Sequence, residues 1–410
     1  MTYRAPKGTD DILPPESRDW VRAERTFIDL AETFGYDAVL TPHFEATELF
    51  ARGVGEATDV VEKQMYTFTD KGGRSLTLRP EATASLVRAM IEAGGVSGTA
   101  KIAMFGPMFR YERPQAGRRR QFYQGDIEYF GEASADADVE VIEFGHRYLD
   151  EIGVPDVVVA VNSIGDPSDR AAYRELLTDW LNERAGDLSD DARDRIATNP
   201  LRVLDSKADI DIVAEAPAPV DHLGPEAAEH FEAVQSGLRR LQIPHRVEPR
   251  LVRGLDYYNR TVFEYLSTSY EAGQDAAGGG GRYDSLFELL GGKPTPAVGV
   301  AMGIDRIMLM AGEDEGEPAL DAFVVVADHD RHDAALELVS VLRRRGLRTD
   351  LELAERSVSA QFKAADRRGA ATALVVGDEW ADGVVTARDL DSGVEESVAL
   401  EEIEGWLKSR

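Results

Sequence analysis

The sequence has no cysteine, which excludes disulfides, thiolate-held zinc and thiol nucleophiles. Its seven histidines are scattered and show no metal-ligand spacing. No apolar run approaches the roughly 20 residues that cross a bilayer, so no membrane partner is expected. The opening stretch MTYRAPKGTDDILPPE lacks the apolar core of an export signal, which predicts a cytoplasmic protein. Basic residues are also few: 46 Lys+Arg stand against 75 Asp+Glu, a formal charge of -29. That balance suits a protein that avoids nucleic acid. It equally suits one adapted to a salty cytoplasm, where a hydrated acidic surface preserves solubility. The scarcity of Lys beside Arg and recurring acidic pairs, such as Asp190-Asp191 and Glu401-Glu402, favour salt adaptation. At molar salt the screening length is about 3 Å, so the net charge would repel a polyanion only weakly.

What is present is enough for two or three globular domains: 410 residues, 43% of them apolar. Residues 17–35 have helical apolar spacing and end at Gly35. A short strand is expected over 37–42, and a strand running into a helix over 76–93. Residues 101–110 and 122–130 read as aromatic strands joined by ERPQAGRRR, that is, a long antiparallel hairpin. A helix over 138–149 and a buried strand over 157–161 follow. From 166 to about 244 the pattern is helical and highly charged, which suggests an inserted subdomain. Strands are expected at 245–252, 258–266 and 297–302. The run Gly278–Gly281 leads into Arg282-Tyr283-Asp284 and a helix over 285–290. Past EDEGEP at 313–318, a regular β-α-β-α-β alternation runs from 322 to 376, which predicts a small mixed or parallel sheet.

The hairpin concentrates the few cations. Arg118, Arg119 and Arg120 could form a solvated tip. Arg110 lies within the apolar strand, where a charge needs a partner, and its fork suits a phosphate or carboxylate. On the return strand Phe122, Gln124, Asp126 and Glu128 alternate, so they share one face. An aromatic plate, an amide and two carboxylates beside a cation make a better floor for a small mixed-charge ligand than a structural sheet. LRPEAT places Glu81 and Thr83 at a strand-to-helix turn, where helix capping is the plain alternative. LVRGLDYYNRTVFE gathers Arg253, Asp256, Tyr257 and Tyr258 around Gly254. AVGVAMGIDRIMLM sets Arg306 on the first turn of an apolar helix. GGGGRYD is not a dinucleotide fingerprint.

Together these stretches resemble the class II aminoacyl-tRNA synthetases, and among them the histidyl-tRNA synthetase family, over nearly the whole chain. FGYDAVLTPHFE is similar to the first class motif, FRYERPQAGRRRQFYQ to the second and AVGVAMGIDRIMLM to the third. RGLDYYNRTVFE and AAGGGGRYD resemble the two histidine-specific segments. NSIGDPSDRAAYRELL and NPLRVLDSK resemble the insertion region. The resemblance implies an α+β catalytic domain with an antiparallel sheet over 1–165 and 245–312. It further implies a helical insertion over 166–244, a linker over 313–320 and a C-terminal α/β anticodon-binding domain over 321–410. The implied partners are L-histidine, ATP with Mg²⁺ and tRNA(His), in a homodimer built on the first motif.

The resemblance also assigns residues. Arg110 and Arg253 are the expected catalytic cations, Arg110 gripping the histidine carboxylate and the α-phosphate. ATP is expected to meet Arg110, Arg118, Phe122 and Arg306. Glu81, Thr83 and Gln124 would hold the α-ammonium, Glu128 and Tyr258 the two imidazole nitrogens, and Tyr257 the pocket wall. Arg113, Gln115, Arg119 and Arg120 would meet the tRNA acceptor end, and no residue is assigned as a metal ligand. Ala82 and Ala277 depart from the Gly and Cys common at those places. A non-catalytic paralogue of the family, a regulatory subunit, typically lacks the anticodon domain; Arg253 and the C-terminal unit weigh against it. RGLDYY and Glu128 weigh against a prolyl or threonyl enzyme.

Overall fold

The computed structural model describes residues 3–55, 58, 60–198, 200–206, 208–253, 257–270, 275–312 and 319–409. The side chains of 202 and 205 also fall outside the description. The chain divides into two compact units, Met1–Gly312 and Glu313–Arg410.

The first unit is built on an eight-stranded sheet. In spatial order its strands are Asp37–Ala38, Ala100–Phe109, Gln121–Phe130, Ala297–Gly303, Ala276–Arg282, Asn259–Ser267, Val157–Ser163 and His245–Val247. The first and last pairings are parallel and the rest antiparallel. The hairpin expected around ERPQAGRRR is its centrepiece, with ten residue pairs from Ala100↔Phe130 to Phe109↔Gln121.

Alternation along the hairpin separates two cores. Ala103 and Ile127, with Phe105 and Tyr123, face the helices Glu16–Thr33 and Ala135–Ile152. The Glu16–Thr33 helix buries Trp20, Ala23, Phe27, Leu30 and Ala31, the stripe its periodicity predicts. Ile102, Met104 and Met108 face the other way, into a cluster with Phe122, Tyr257, Tyr258 and Tyr283. This second side carries the site.

The glycine run, left unassigned by periodicity, is a strand. Ala276–Arg282 lies between two other strands, and its glycines have no room for side chains. A Cβ on Gly280 would overlap the carbonyl of Gly299, and one on Gly279 would sit 2.7 Å from Arg253 Nη1. Close packing of neighbours, rather than turn geometry, therefore requires glycine here.

Other differences are local. The strand expected over 245–252 stops at Val247, because the Leu251 N–H turns back to the Glu248 carbonyl. The strands Phe44–Ala46, Tyr66–Thr69 and Ser75–Leu78 form a small separate sheet that periodicity did not reveal. Within the helical stretch, Tyr173, Leu177, Leu181, Leu188 and Val203 form a core of their own. The helix Pro225–Arg240, expected to belong with them, instead sends Phe231, Val234 and Leu238 into the main core.

The second unit has five strands in the order Thr349–Leu351, Leu320–Val326, Ala370–Val376, Val384–Asp389, Glu395–Ala399. The first three are parallel, as the alternation predicts, and the last two add antiparallel. Of the expected linker, residues 313–318 lie outside the described residues. Among the described residues no helix is long and apolar enough to cross a membrane.

Candidate active site

Small residues make the room. Opposite Gln124, Asp126 and Glu128 on the hairpin stand Gly303, Ala301 and Gly299, and next to these Ala301 and Gly299 pair with Gly279 and Gly281. Polar side chains thus rise from one strand over a floor of glycine and alanine. The result is a cavity of about 370 Å³, a size suited to small ligands.

Five arginines reach this cavity: Arg110, Arg118, Arg119, Arg253 and Arg306. Arg110 donates from Nε to the Pro80 carbonyl at 2.8 Å, and its guanidinium lies 5.2 Å from the centre of the Phe122 ring. One edge of the fork is fixed and the rest faces the cavity. Arg253 is ion-paired with Glu264, another lining residue. Arg306 donates to the Ala276 carbonyl at 3.1 Å, tying the first turn of Ile304–Ala311 to the glycine strand. Arg118 is exposed at the loop tip, where its backbone and that of Gln115 exchange hydrogen bonds of 2.9 and 3.1 Å.

The acceptors sit deeper. Glu81 takes the backbone N–H groups of Thr83 at 2.8 Å and Ala84 at 3.0 Å, so it does cap the helix Thr83–Glu92. It also lines the cavity, and the cap fixes its carboxylate there. Gln124 Oε1 and Asp126 Oδ2 are buried and accept no hydrogen bond among the described residues. Buried acceptors of this kind are suited to a ligand's donors.

Glu128 lies just beneath the lining. The Thr83 hydroxyl donates to its Oε1 at 2.7 Å and the Tyr283 hydroxyl donates to its Oε2, and both of those residues line the cavity. Thr83 therefore serves Glu128 directly. Burial pushes the Glu128 carboxyl up to about 8, and burial followed by the charges of Glu128 and Glu81 raises Asp126 well above the usual range. Glu81 is raised by burial as well. A cationic ligand would relieve all three. Burial also raises Tyr257 and Tyr258, so both hydroxyls stay protonated donors near neutral pH.

The structure thus gathers Arg110, Arg118, Arg253, Arg306, Glu81, Thr83, Phe122, Gln124, Tyr257 and Tyr258 around one cavity, with Glu128 under it. Gly254 and Asp256 lie outside the described residues. Of the residues expected at the tRNA acceptor end, Arg113 and Gln115 are exposed. Arg120 is turned onto the Tyr111 ring at 3.8 Å and the Glu112 carbonyl at 3.2 Å. Arg119 is turned inward, ion-paired with Asp10 at 3.0 Å and Asp305 at 3.4 Å. Tyr283, Glu264 and Asp305 had no role in the sequence reading. The signals were adjacency to the glycine run for Tyr283, to Arg306 for Asp305, and the end of RGLDYYNRTVFE for Glu264. Asp126 was placed on the right face without a task.

Arg282, within GGGGRYD, is structural: it is fully buried against Asp138, Asp284 and the carbonyls of Glu132 at 3.0 Å and Ser134 at 3.1 Å.

A family profile described as histidyl-tRNA synthetase matches residues 8–307, and one described as an anticodon binding domain matches residues 321–410. A histidine–tRNA ligase from Synechococcus elongatus is 47% identical over 99% of this chain and 95% of that protein. One from Desulforudis audaxviator is 46% identical over 98% of each. The crystal structure of apo histidyl-tRNA synthetase from S. aureus superimposes with a TM-score of 0.79 at 33% identity, covering 99% of this chain and 100% of that one. The unit built on the eight-stranded sheet is a class II catalytic domain, and 321–410 an anticodon-binding domain. The chain belongs to the histidyl-tRNA synthetase family.

Proposed function

We infer that the protein is a histidine–tRNA ligase that joins L-histidine to tRNA(His) through a histidyl-adenylate. The observation that carries this reading is a cavity in which five arginines meet buried, hydrogen-bond-ready carboxyl and amide groups. In the first step a histidine carboxylate oxygen attacks the α-phosphorus of ATP and pyrophosphate leaves. In the second, a hydroxyl of the terminal tRNA ribose attacks the histidyl carbonyl and AMP leaves.

Arg110 meets the carboxylate and the α-phosphate together, the geometry a planar fork favours. Arg253 adds positive charge where negative charge develops at the α-phosphate. Phe122 stacks on adenine, Arg306 covers its other face, and Arg118 reaches the outer phosphates. Glu81, Gln124 and Thr83 hold the α-ammonium, with Asp126 as a further acceptor. Glu128 accepts an imidazole N–H, and the Tyr258 hydroxyl serves the second ring nitrogen beside Tyr257. Two polar partners reject an apolar isostere far better than shape alone.

Among the described residues no group of three or more His, Asp or Glu is placed to hold a metal ion. Mg²⁺ would arrive on the triphosphate, where it neutralises phosphoryl oxygens. Catalysis in the cytoplasm, a homodimer through the first-motif region and adaptation to salt complete the reading. With a formal charge of -29, tRNA recognition at high salt would rest on directed hydrogen bonds, and its affinity should fall only shallowly with salt. Arg113 and Gln115, exposed on the hairpin loop, are candidates for the acceptor end.

The test is ATP–pyrophosphate exchange with each amino acid separately, then charging of total tRNA with labelled histidine across a salt series. Exchange with histidine alone, followed by charging, is expected. No exchange, or exchange with proline or threonine, would overturn the reading.

A further inference from the structure

Arg119 projects from the hairpin loop of an acidic protein, next to the exposed Arg118, yet it points into the molecule. Its Nε is 3.0 Å from Asp10 Oδ2 in the N-terminal segment, and its Nη1 is 3.4 Å from Asp305 Oδ1. Its guanidinium lies 5.6 Å from the centre of the Trp20 ring, and Trp20 meets Tyr123 edge-on at 5.4 Å. Asp305 is buried, and its other oxygen accepts the Tyr123 backbone N–H at 2.7 Å. Four segments therefore meet at one guanidinium: the N-terminal stretch, the first helix, the hairpin and the helix Ile304–Ala311.

The neighbours of these groups matter. Tyr123 follows Phe122, and Asp305 precedes Arg306. The Tyr123–Asp305 hydrogen bond thus fixes the strand bearing the aromatic plate against the helix bearing the facing cation. The loop itself closes on the same helix: a Cβ added to Gly117, at φ +67°, would lie 3.2 Å from the Leu309 side chain and 3.7 Å from the Arg306 Cα. Asp305 Oδ1 accepts no hydrogen bond among the described residues, so its charge is met by Arg119 across 3.4 Å. A buried carboxylate with that orientation depends on a nearby cation. Without Arg119, Asp305 has reason to protonate or turn toward water, and the link to Tyr123 loosens.

We propose that Arg119 is a positioning residue of the nucleotide site: through Asp305 it sets the gap between Phe122 and Arg306 in which adenine is held. The proposal rests on the ATP-binding reading of that gap and reassigns Arg119 from the tRNA acceptor end. The distinction is experimental, because ATP–pyrophosphate exchange contains no tRNA.

In the exchange reaction, Arg119→Met should raise KM for ATP roughly tenfold, as a small misplacement of positioned groups does, and leave KM for histidine within twofold. Arg119→Lys, which keeps the charge, should recover most of the loss. Asp305→Asn keeps an acceptor for the Tyr123 N–H but not the charge that holds Arg119. Its effect should be smaller, and adding it to Arg119→Met should change little further, since the two act as one unit. Unchanged KM for ATP in Arg119→Met, with only the KM for tRNA raised, would overturn the proposal in favour of an acceptor-end contact. Equal rises in both small-substrate KM values would overturn it as a general loosening. Absence of exchange in the wild type would instead sink the ligase reading, so the two failures are distinguishable.

Discussion

Replacing Glu128 with glutamine is the sharpest probe of histidine recognition. The carboxylate receives the Thr83 hydroxyl on one oxygen at 2.7 Å and the Tyr283 hydroxyl on the other. Glutamine preserves shape but has one acceptor oxygen, and its amide nitrogen donates. One of the two hydroxyls must therefore rotate or lose its partner. A hydrogen bond to a charged group is worth about 1.5–3 kcal/mol and a neutral one about 0.5–1.5 kcal/mol. The difference for the imidazole N–H is about 1–2 kcal/mol, or roughly 5- to 30-fold in KM for histidine. KM for ATP should not move.

Titration gives a second readout of the same carboxyl. Burial raises it from 4.5 to about 8, so the folded apo protein favours the proton-bound form. Its contribution to stability is whole below the unfolded value of 4.5 and is lost as pH rises through about 8. Melting curves from about pH 5 to about pH 9 should fall less steeply for Glu128→Gln, which cannot ionise. Histidine binding needs the ionised form, so wild-type affinity should improve as pH climbs toward 8 while the variant lags. An unchanged KM for histidine in Glu128→Gln, or an equal rise in KM for ATP, would refute the assignment.

Arg110→Lys keeps a charge but loses the planar fork, and kcat for exchange should drop roughly 10²- to 10³-fold with the circular dichroism spectrum unchanged. Arg282→Met leaves the fully buried Asp138 facing, among the described residues, only His230, 3.4 Å away. Urea unfolding should show a loss of about 3–5 kcal/mol, partly recovered by adding Asp138→Asn. Gly280→Ala drives a methyl group into the Gly299 carbonyl of the neighbouring strand. It should cost at least about 1–3 kcal/mol by the same assay, whereas alanine at the solvent-open Gly186 should not.

Periodicity carried much of the fold. The first helix, the long hairpin and the parallel core of the C-terminal unit are each written in residues whose spacing matches one secondary structure. The same alternation put Phe122, Gln124, Asp126 and Glu128 on one face, because a strand's side chains alternate whatever surrounds it. The glycine run was given no secondary structure, since glycine marks turns far more often than the middle of a sheet. Its true cause, neighbours that leave no space for Cβ, exists only once three strands are assembled. The strands Phe44–Ala46 and Tyr66–Thr69 that flank Ser75–Leu78, and the two strands after 384, were missed because such short strands have too few residues for a clear periodic signal.

The amino-acid order alone thus determined the kinds of elements, the face each presents and the family resemblance, because these depend on neighbours a few positions apart. Tertiary structure alone decided which groups share charge. Thr83 and Tyr283 meet at Glu128 from positions 45 and 155 residues away, and Arg119 meets Asp10 and Asp305 from distant parts of the chain. Electrostatics and hydrogen bonding act through space, over a few ångströms, and folding rather than order along the chain sets those distances.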